Sequence, residues 1–266
     1  MPIETAVPIR PASRQEFYDM DFEMMRHALD IHSDYGGVLD EAIYKNELTL
    51  RCNKAGLSME REVLVRVKHG EFTKDYRIDL LMKRCVIVEG KTAERIVSAH
   101  RGQTANYLML ANIRFGSLIN FQGPSAKREF VTSLQDLEER RRFELFTARW
   151  PRDEQHAKLK DIAVAFCRDI GLSLDAPLYR AAFTFLLGGM TANPVKVPVY
   201  SGDIILGHHL MHLLTPERGL AVTCLEKPVP MRTTLHKLLK HTHLKVISWI
   251  NLKHHEIQFQ EVQRQG

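Results

Sequence analysis

The chain has 266 residues, 44% hydrophobic and 26% charged, the balance of an ordinary globular protein with room for one large domain or two modest ones. No apolar run approaches the ~20 residues a membrane span needs, the opening "MPIETAVPIRPASRQEF" lacks the apolar core of a secretory signal, and four scattered cysteines without a C-x-x-C pair argue against a disulfide framework or thiolate zinc site. A reduced, cytoplasmic protein is the expectation, and a net charge of +5 with a pI near 9.0 is compatible with a nucleic-acid partner without requiring one.

Residues 1–16, with three prolines and few large apolar side chains, read as a flexible arm. From Asp21 the spacing is helical: Phe22, Met25 and Leu29, with Ala28 and Ile31, can share one face, and Gly36-Gly37 ends the run. "VLDEAIYKNELTLRCNKAG" reads as a second helix with Leu39, Ile43, Leu48 and Leu50 as its apolar positions. In "EREVLVRVKHGEF" the alternation of Val63, Val65 and Val67 predicts a half-buried strand ending at a Lys-His-Gly turn. "DYRIDLLMKRCVIVEGK" supplies two further strands, "ERIVSAHRGQTANYLMLANI" a helix and "FGSLINF" a short apolar strand. The order α, α, β, β, β, α, β predicts an α/β domain with a small mixed sheet over 17–135. Residues 136–150, within "LQDLEERRRFELFTARW", read as a charged helix or linker. There Arg140, Arg141 and Arg142 could meet phosphate, or simply form a solvated face.

The second half repeats the first. "ALDIHSDYGGVLDEAIY" (28–44) aligns without gaps to "AVAFCRDIGLSLDAPLY" (163–179), with six identities in 17 positions: Ala28/Ala163, Asp34/Asp169, Gly36/Gly171, Leu39/Leu174, Asp40/Asp175 and Tyr44/Tyr179. Residues 99–121 align to 230–252 in the same order, sharing Arg101/Arg232, Leu108/Leu239, Ser117/Ser248, Ile119/Ile250 and Asn120/Asn251. The pattern indicates a diverged tandem duplication, with the second domain over 151–266. Nine of the 13 histidines fall after residue 150, so that half gains positive charge at mildly acidic pH.

The chemistry concentrates in the first copy. In a strand, residues two apart point the same way, so Glu89 and Lys91 project together, and a hairpin brings Asp79 of the preceding strand beside Glu89. Two such carboxylates can bind a hard divalent cation through oxygen, with water completing the shell. The ion can polarise a phosphodiester and acidify an attacking water. An amine beside it can stabilise transition-state charge. The plainer reading is a surface Glu–Lys pair, worth little. Against it stand the apolar strand before Glu89 and the fact that the chain holds a single E-x-K.

Residues 22–121 resemble the small GxxExxY proteins of the PD-(D/E)XK nuclease superfamily, through "ALDIHSDYGGVLDEAIY", "YRIDLLM", "VIVEGK", "HRGQTANYL" and "GSLINF" taken in this order. Two departures concern local geometry. Val38 stands where the naming glycine falls, and Gly90 stands where a bulky residue usually separates Glu and Lys. The resemblance implies tandem restriction-endonuclease-like domains, each a small mixed sheet flanked by helices, and a metal-dependent nuclease using Mg2+ or Mn2+. It implies Asp79 and Glu89 as metal ligands, Lys91 as the catalytic amine, Glu41 as an additional acidic residue and Gln103 as a residue approaching from the following helix. Arg77 and Arg101 are the candidate nucleic-acid contacts. DNA is the expected substrate, with RNA the alternative, and a noncatalytic binding or scaffolding protein is the rival class.

His100, Gln103 and Tyr107 share a helix face. A structural role is expected for His100 and Tyr107, and hydrogen bonds within the fold for His32 and Tyr44. The second copy lacks the constellation: Glu41 aligns with Ala176 and Gln103 with Thr234, "GLAVTCLEKP" has no E-x-K, and "HLMHLLT" sets His212 against Asp79. That half is expected to be a degenerate, noncatalytic repeat, open to a protein partner. His208, His209 and His212 would converge on a metal only if they lay on a helix.

Overall fold

The structure, a computed structural model, describes residues 2–264. It forms two units: one holds the chain up to Lys68 and Thr73–Leu137, the other His69–Phe72 and the chain from Glu138 onward. Each is a six-stranded mixed sheet flanked by helices.

In the first unit a short strand β1 (Ile3–Thr5) precedes two helices, α1 (Arg14–Tyr35) and α2 (Glu41–Lys54). Strands β2 (Met59–His69), β3 (Phe72–Met82) and β4 (Val86–Lys91), helix α3 (Ser98–Ala111), and strands β5 (Phe115–Asn120) and β6 (Lys127–Thr132) follow. The sheet order is β1-β2-β3-β4-β5-β6. Its β4–β5 pair is parallel, with α3 as the crossover between them. A four-residue helix α4 (Leu137–Arg140) leads to the second unit: β7 (Glu144–Arg149), α5 (Glu154–Ile170), α6 (Ala176–Leu187), β8 (Val195–Ser201), β9 (Ile204–Thr215), β10 (Arg218–Thr223), α7 (Val229–Lys240), β11 (Val246–Leu252) and β12 (Glu256–Gln263).

The second sheet runs β8-β9-β10-β11-β12-β7, so five strands follow the order of β2 to β6. Its one parallel pair among those five, β10–β11, again brackets a helix. The sixth strand differs. In each unit it precedes the helix pair, but β1 pairs with the first strand of the common five, whereas β7 pairs with the last, in parallel.

Helix α1 starts at Ser13, whose hydroxyl accepts from the Glu16 amide while the Glu16 carboxylate reaches back to the Ser13 amide. Its buried face is Phe17, Met20, Met24, Ala28 and Ile31. Phe22 and Leu29, expected in the core, are exposed, and so are Ile43 and Leu50 of α2, where Leu48 is buried as expected and Tyr44 and Cys52 are buried with it. The helical period admits neighbouring stripes, and the sheet chose the one rich in Met. Val63, Val65 and Val67 are buried as their alternation predicts.

The N-terminal segment expected as a loose arm carries β1, paired with Val65, Arg66 and Val67 of β2. The expected helix or linker at 136–150 is helical only over Leu137–Arg140 and then becomes edge strand β7. Of Arg140, Arg141 and Arg142, Arg142 is exposed and the other two are held within the fold. Arg140 is fully buried and donates to the carbonyls of Ile170 and Leu172, and Arg141 donates to that of Asp169 at 2.7 Å. They satisfy acceptors at and just past the C-terminus of α5, where carbonyls lack helical partners.

The identities between the halves mark equivalent contacts. The Tyr44 hydroxyl donates to Gly36 O at 2.7 Å and accepts from Leu39 N at 3.0 Å. The Tyr179 hydroxyl donates to Gly171 O at 2.8 Å and accepts from Leu174 N at 3.1 Å. Asn120 brackets Ala93 with both amide atoms, and Asn251 brackets Leu225 in the same way. Buried Ser117 binds Asp21, and buried Ser248 binds His156, the residue that the 28–44 alignment, extended back, sets against Asp21.

Two outcomes follow for stability. Met24→Ala should cost about 2–5 kcal/mol in urea unfolding, and Leu29→Ala less than about 0.5. Tyr179→Phe should cost about 1–3 kcal/mol by leaving the Leu174 amide and the Gly171 carbonyl without their buried partner.

Candidate active site

Four elements of the first unit build the site. Asp40 stands at the N-cap of α2, so Glu41 is the first helical residue and Lys45 lies one turn further on the same face. Asp79 and Glu89 sit one residue beyond the Leu80–Val88 pair of the β3–β4 ladder, and Lys91 closes β4.

These side chains form an alternating line of charge. Lys45 Nζ lies 2.5 Å from Asp79 Oδ2 and 2.5 Å from Glu41 Oε1. Lys91 Nζ lies 3.9 Å from Glu41 Oε1 and 2.6 Å from Glu89 Oε1. Three carboxylates and two ammoniums leave one net negative charge. The line is graded in depth: the Glu89 side chain is 0% exposed and the Glu41 side chain 33%.

Glu89 is the strained member. Its Oε2 is buried without a hydrogen-bond partner. Burial first, and the nearby charge of Asp79 second, push its carboxyl up to about 7 against the pull of Lys91. The opposite balance holds at Lys45: burial lowers it, and the hydrogen bonds it donates to Asp79 and Glu41 more than offset that, leaving the ammonium raised.

Asp79, Glu89, Lys91 and Glu41 are therefore brought together. Gln103 donates to the Tyr107 hydroxyl at 3.3 Å, and that phenol, raised mainly by burial, feels the charges of Glu89, Asp79 and Lys91. His100 accepts from the Val97 amide at the start of α3, and His32 meets Gly123 O at 2.9 Å, both structural contacts. Arg77 is exposed and lies 3.5 Å from the Glu62 carbonyl. Arg101 is held by Glu129 through two hydrogen bonds of 2.7 and 3.0 Å, so its charge is compensated within the fold.

Sequence reading missed Lys45. The available signals were its i+4 spacing from Glu41 and the glycine at 90. A Cβ on Gly90 would lie 3.2 Å from Lys45 Cγ, so the lysine stem fills the room a bulky residue would take. Gly37 likewise admits close packing, since its Cβ would fall 2.9 Å from the carbonyls of Phe121 and Gly123.

The donor chemistry fits a hard divalent cation through two carboxylates. Asp79 and Glu89 are adjacent, and Glu89 has an oxygen to spare. Among the described residues no group of three or more His, Cys, Asp and Glu side chains is arranged to hold a metal ion. Glu41 is joined to Asp79 through Lys45 rather than directly.

The second unit carries other residues at these positions. Asn120 pairs with Lys91 and Asn251 with Thr223, so Ala221 and Thr223 occupy the places of Glu89 and Lys91. Thr223 Oγ1 instead joins Asn251 and Trp249 in a hydrogen-bonded core. A bulge between β9 and β10 shifts the register, and His212 stands across from Leu220 as Leu80 stands across from Val88. The expected match of His212 with Asp79 is therefore off by one residue. His208, His209 and His212 lie on a strand and do not converge. No helix among the described residues is long and apolar enough to cross a membrane.

No curated protein and no solved structure matches the chain. The family model of the PD-(D/E)XK nuclease superfamily matches residues 18–132, a span that runs from α1 to β6 and holds every member of the Asp79–Lys45–Glu41–Lys91–Glu89 cluster.

Proposed function

We propose that the first unit is a divalent-metal-dependent nuclease that hydrolyses phosphodiester bonds in DNA, and that the second is a degenerate, noncatalytic copy of the GxxExxY kind of domain. The observation that carries the reading is the buried Glu89 carboxylate, with a spare oxygen, beside Asp79 and gripped by Lys91. Such a grouping is costly for a fold to maintain and is what a reaction centre needs.

Asp79 and Glu89 would hold Mg2+ or Mn2+, which supplies polarisation of the phosphodiester and acidification of an attacking water. Lys91 stands next to that position, 2.6 Å from Glu89 Oε1. Its ammonium can donate to a phosphate oxygen as negative charge builds there, while Glu89 holds the amine in place. Glu41, the most exposed carboxylate of the line, can accept a proton from water at the outer side. Gln103 acts through Tyr107, as a positioning residue. Support for a silent second copy comes from Ala221 and Thr223 standing in register with Glu89 and Lys91.

The rival reading, a nucleic-acid-binding or scaffolding protein, draws on the charge compensation within the cluster, where Lys45 and Lys91 already answer most of the negative charge. Cleavage assays on single- and double-stranded DNA and on RNA, with Mg2+, Mn2+ or EDTA, separate the two. Cleavage that EDTA abolishes supports the nuclease. Binding without cleavage in any divalent ion supports the scaffold.

Asp79→Asn, nearly constant in volume, should lower cleavage by about 10²–10³-fold or more and weaken ion binding, with the circular dichroism spectrum unchanged. Lys91→Ala should lower turnover to a similar degree while the ion still binds, because the amine is not a ligand. His212→Asn, in the second unit, should leave cleavage near the wild-type rate. Loss of cleavage in His212→Asn but not in Asp79→Asn would assign the activity to the other half.

A further inference from the structure

We propose that Lys45, held between Asp79 and Glu41, is a positioning residue that sets the affinity of the site for its divalent ion, by competing with that ion for Asp79; this rests on the metal-dependent reading above. Two independent observations carry it. The first is placement. Lys45 Nζ lies 2.5 Å from one oxygen of Asp79 and 2.5 Å from one oxygen of Glu41, with its side chain only 12% exposed. An ammonium between two carboxylates supplies the charge that a cation would supply to the same oxygens. The second is accommodation. The lysine stem lies against Gly90, where a Cβ would approach Lys45 Cγ to 3.2 Å, so a side chain at 90 would press on the very stem that delivers the amine. Lys45 is thus built into the strand that carries Glu89 and Lys91, rather than resting on the surface.

The consequence is electrostatic. With Lys45 the five side chains sum to one negative charge, and without it they sum to two. A divalent ion binding to the present cluster must share Asp79 with an ammonium and must sit near both lysines. Removing the Lys45 charge while keeping its stem removes the competitor and leaves the two ligands in place. Lys45 therefore lowers ion affinity and supports the ion-free site, in which Asp79 and Glu89 stand side by side.

The test is Mn2+ titration by calorimetry, without nucleic acid, on wild type, Lys45→Met, Lys45→Arg, Asp79→Asn and the double variant Lys45→Met/Asp79→Asn. Lys45→Met keeps an unbranched stem against Gly90; Lys45→Gln replaces it should it fail to fold. Lys45→Met is expected to bind Mn2+ about tenfold more tightly than wild type, the scale of one lost ion-pair competitor in a half-buried site. Its ion-free melting temperature should fall and its Mn2+-induced rise in melting temperature should exceed that of wild type. Lys45→Arg should bind as wild type does, and the double variant should lose the gain.

Unchanged or weaker Mn2+ binding in Lys45→Met, with binding still dependent on Asp79, overturns the role of Lys45 and leaves the nuclease reading standing. Mn2+ binding that is absent from wild type and Lys45→Met alike, or that survives Asp79→Asn unchanged, overturns the metal-dependent reading and this inference with it.

Discussion

A carboxylate with no exposure at the end of a sheet strand constrains everything around it. Glu89 cannot be left alone, because an unpaired buried charge costs several kcal/mol and would be neutralised instead. The fold answers by bringing Lys91 to 2.6 Å from one oxygen and leaves the other without a partner. Asp79 then raises the tension by standing beside it, and Lys45 relieves part of that by taking Asp79 from the α2 side. The hairpin that aligns β3 with β4, the entry of α2 at Asp40 and the absence of a side chain at Gly90 are all conditions for this arrangement. It is poorly designed for stability and well designed for holding charge out of water, which is the condition under which electrostatics acts strongly.

The two units share some contacts and differ in others. Shared are contacts that hold the topology together: a tyrosine hydroxyl that locks the turn between the first two helices, an asparagine that brackets the chain leaving the strand before the crossover, and a buried serine under the first helix. Each satisfies backbone or buried polar groups that any copy of the fold must satisfy. The charges are not shared. Where the first unit has Glu89 and Lys91, the second has Ala221 and the Thr223–Asn251–Trp249 hydrogen bonds, both positions half-buried. At the site of Asp21 the second unit has His156, and both bind the matching serine, so polarity can change while the contact survives.

Local pattern and distant pairing contribute unequally along this chain. The alternation of Val63, Val65 and Val67 reports burial directly, because a strand has two faces and a period of two distinguishes them. A helix stripe is less specific: Phe22 and Leu29 lie on one plausible face of α1 and Phe17, Met20 and Met24 on its neighbour, and the choice belongs to the sheet beneath. The run of charged residues before Phe143 has the composition of an exposed helix. It forms only the short α4 and carbonyl contacts with the end of α5, about 30 residues on, and an edge strand follows it.

By itself the sequence determined the α/β class, the likeness of the two halves and the grouping of Asp79 with Glu89 and Lys91, and with them the expectation of a PD-(D/E)XK domain. All of these rest on spacing within a few residues or on the match of one half to the other. Tertiary structure decided the rest. It put Lys45 between Asp79 and Glu41, bonded Gln103 to Tyr107, closed Arg101 onto Glu129, and slid His212 one residue out of register through a bulge. These outcomes depend on which atoms meet across the sheet, and the packing of Lys45 over Gly90 joins residues 45 positions apart in the chain, a distance at which no local period carries information.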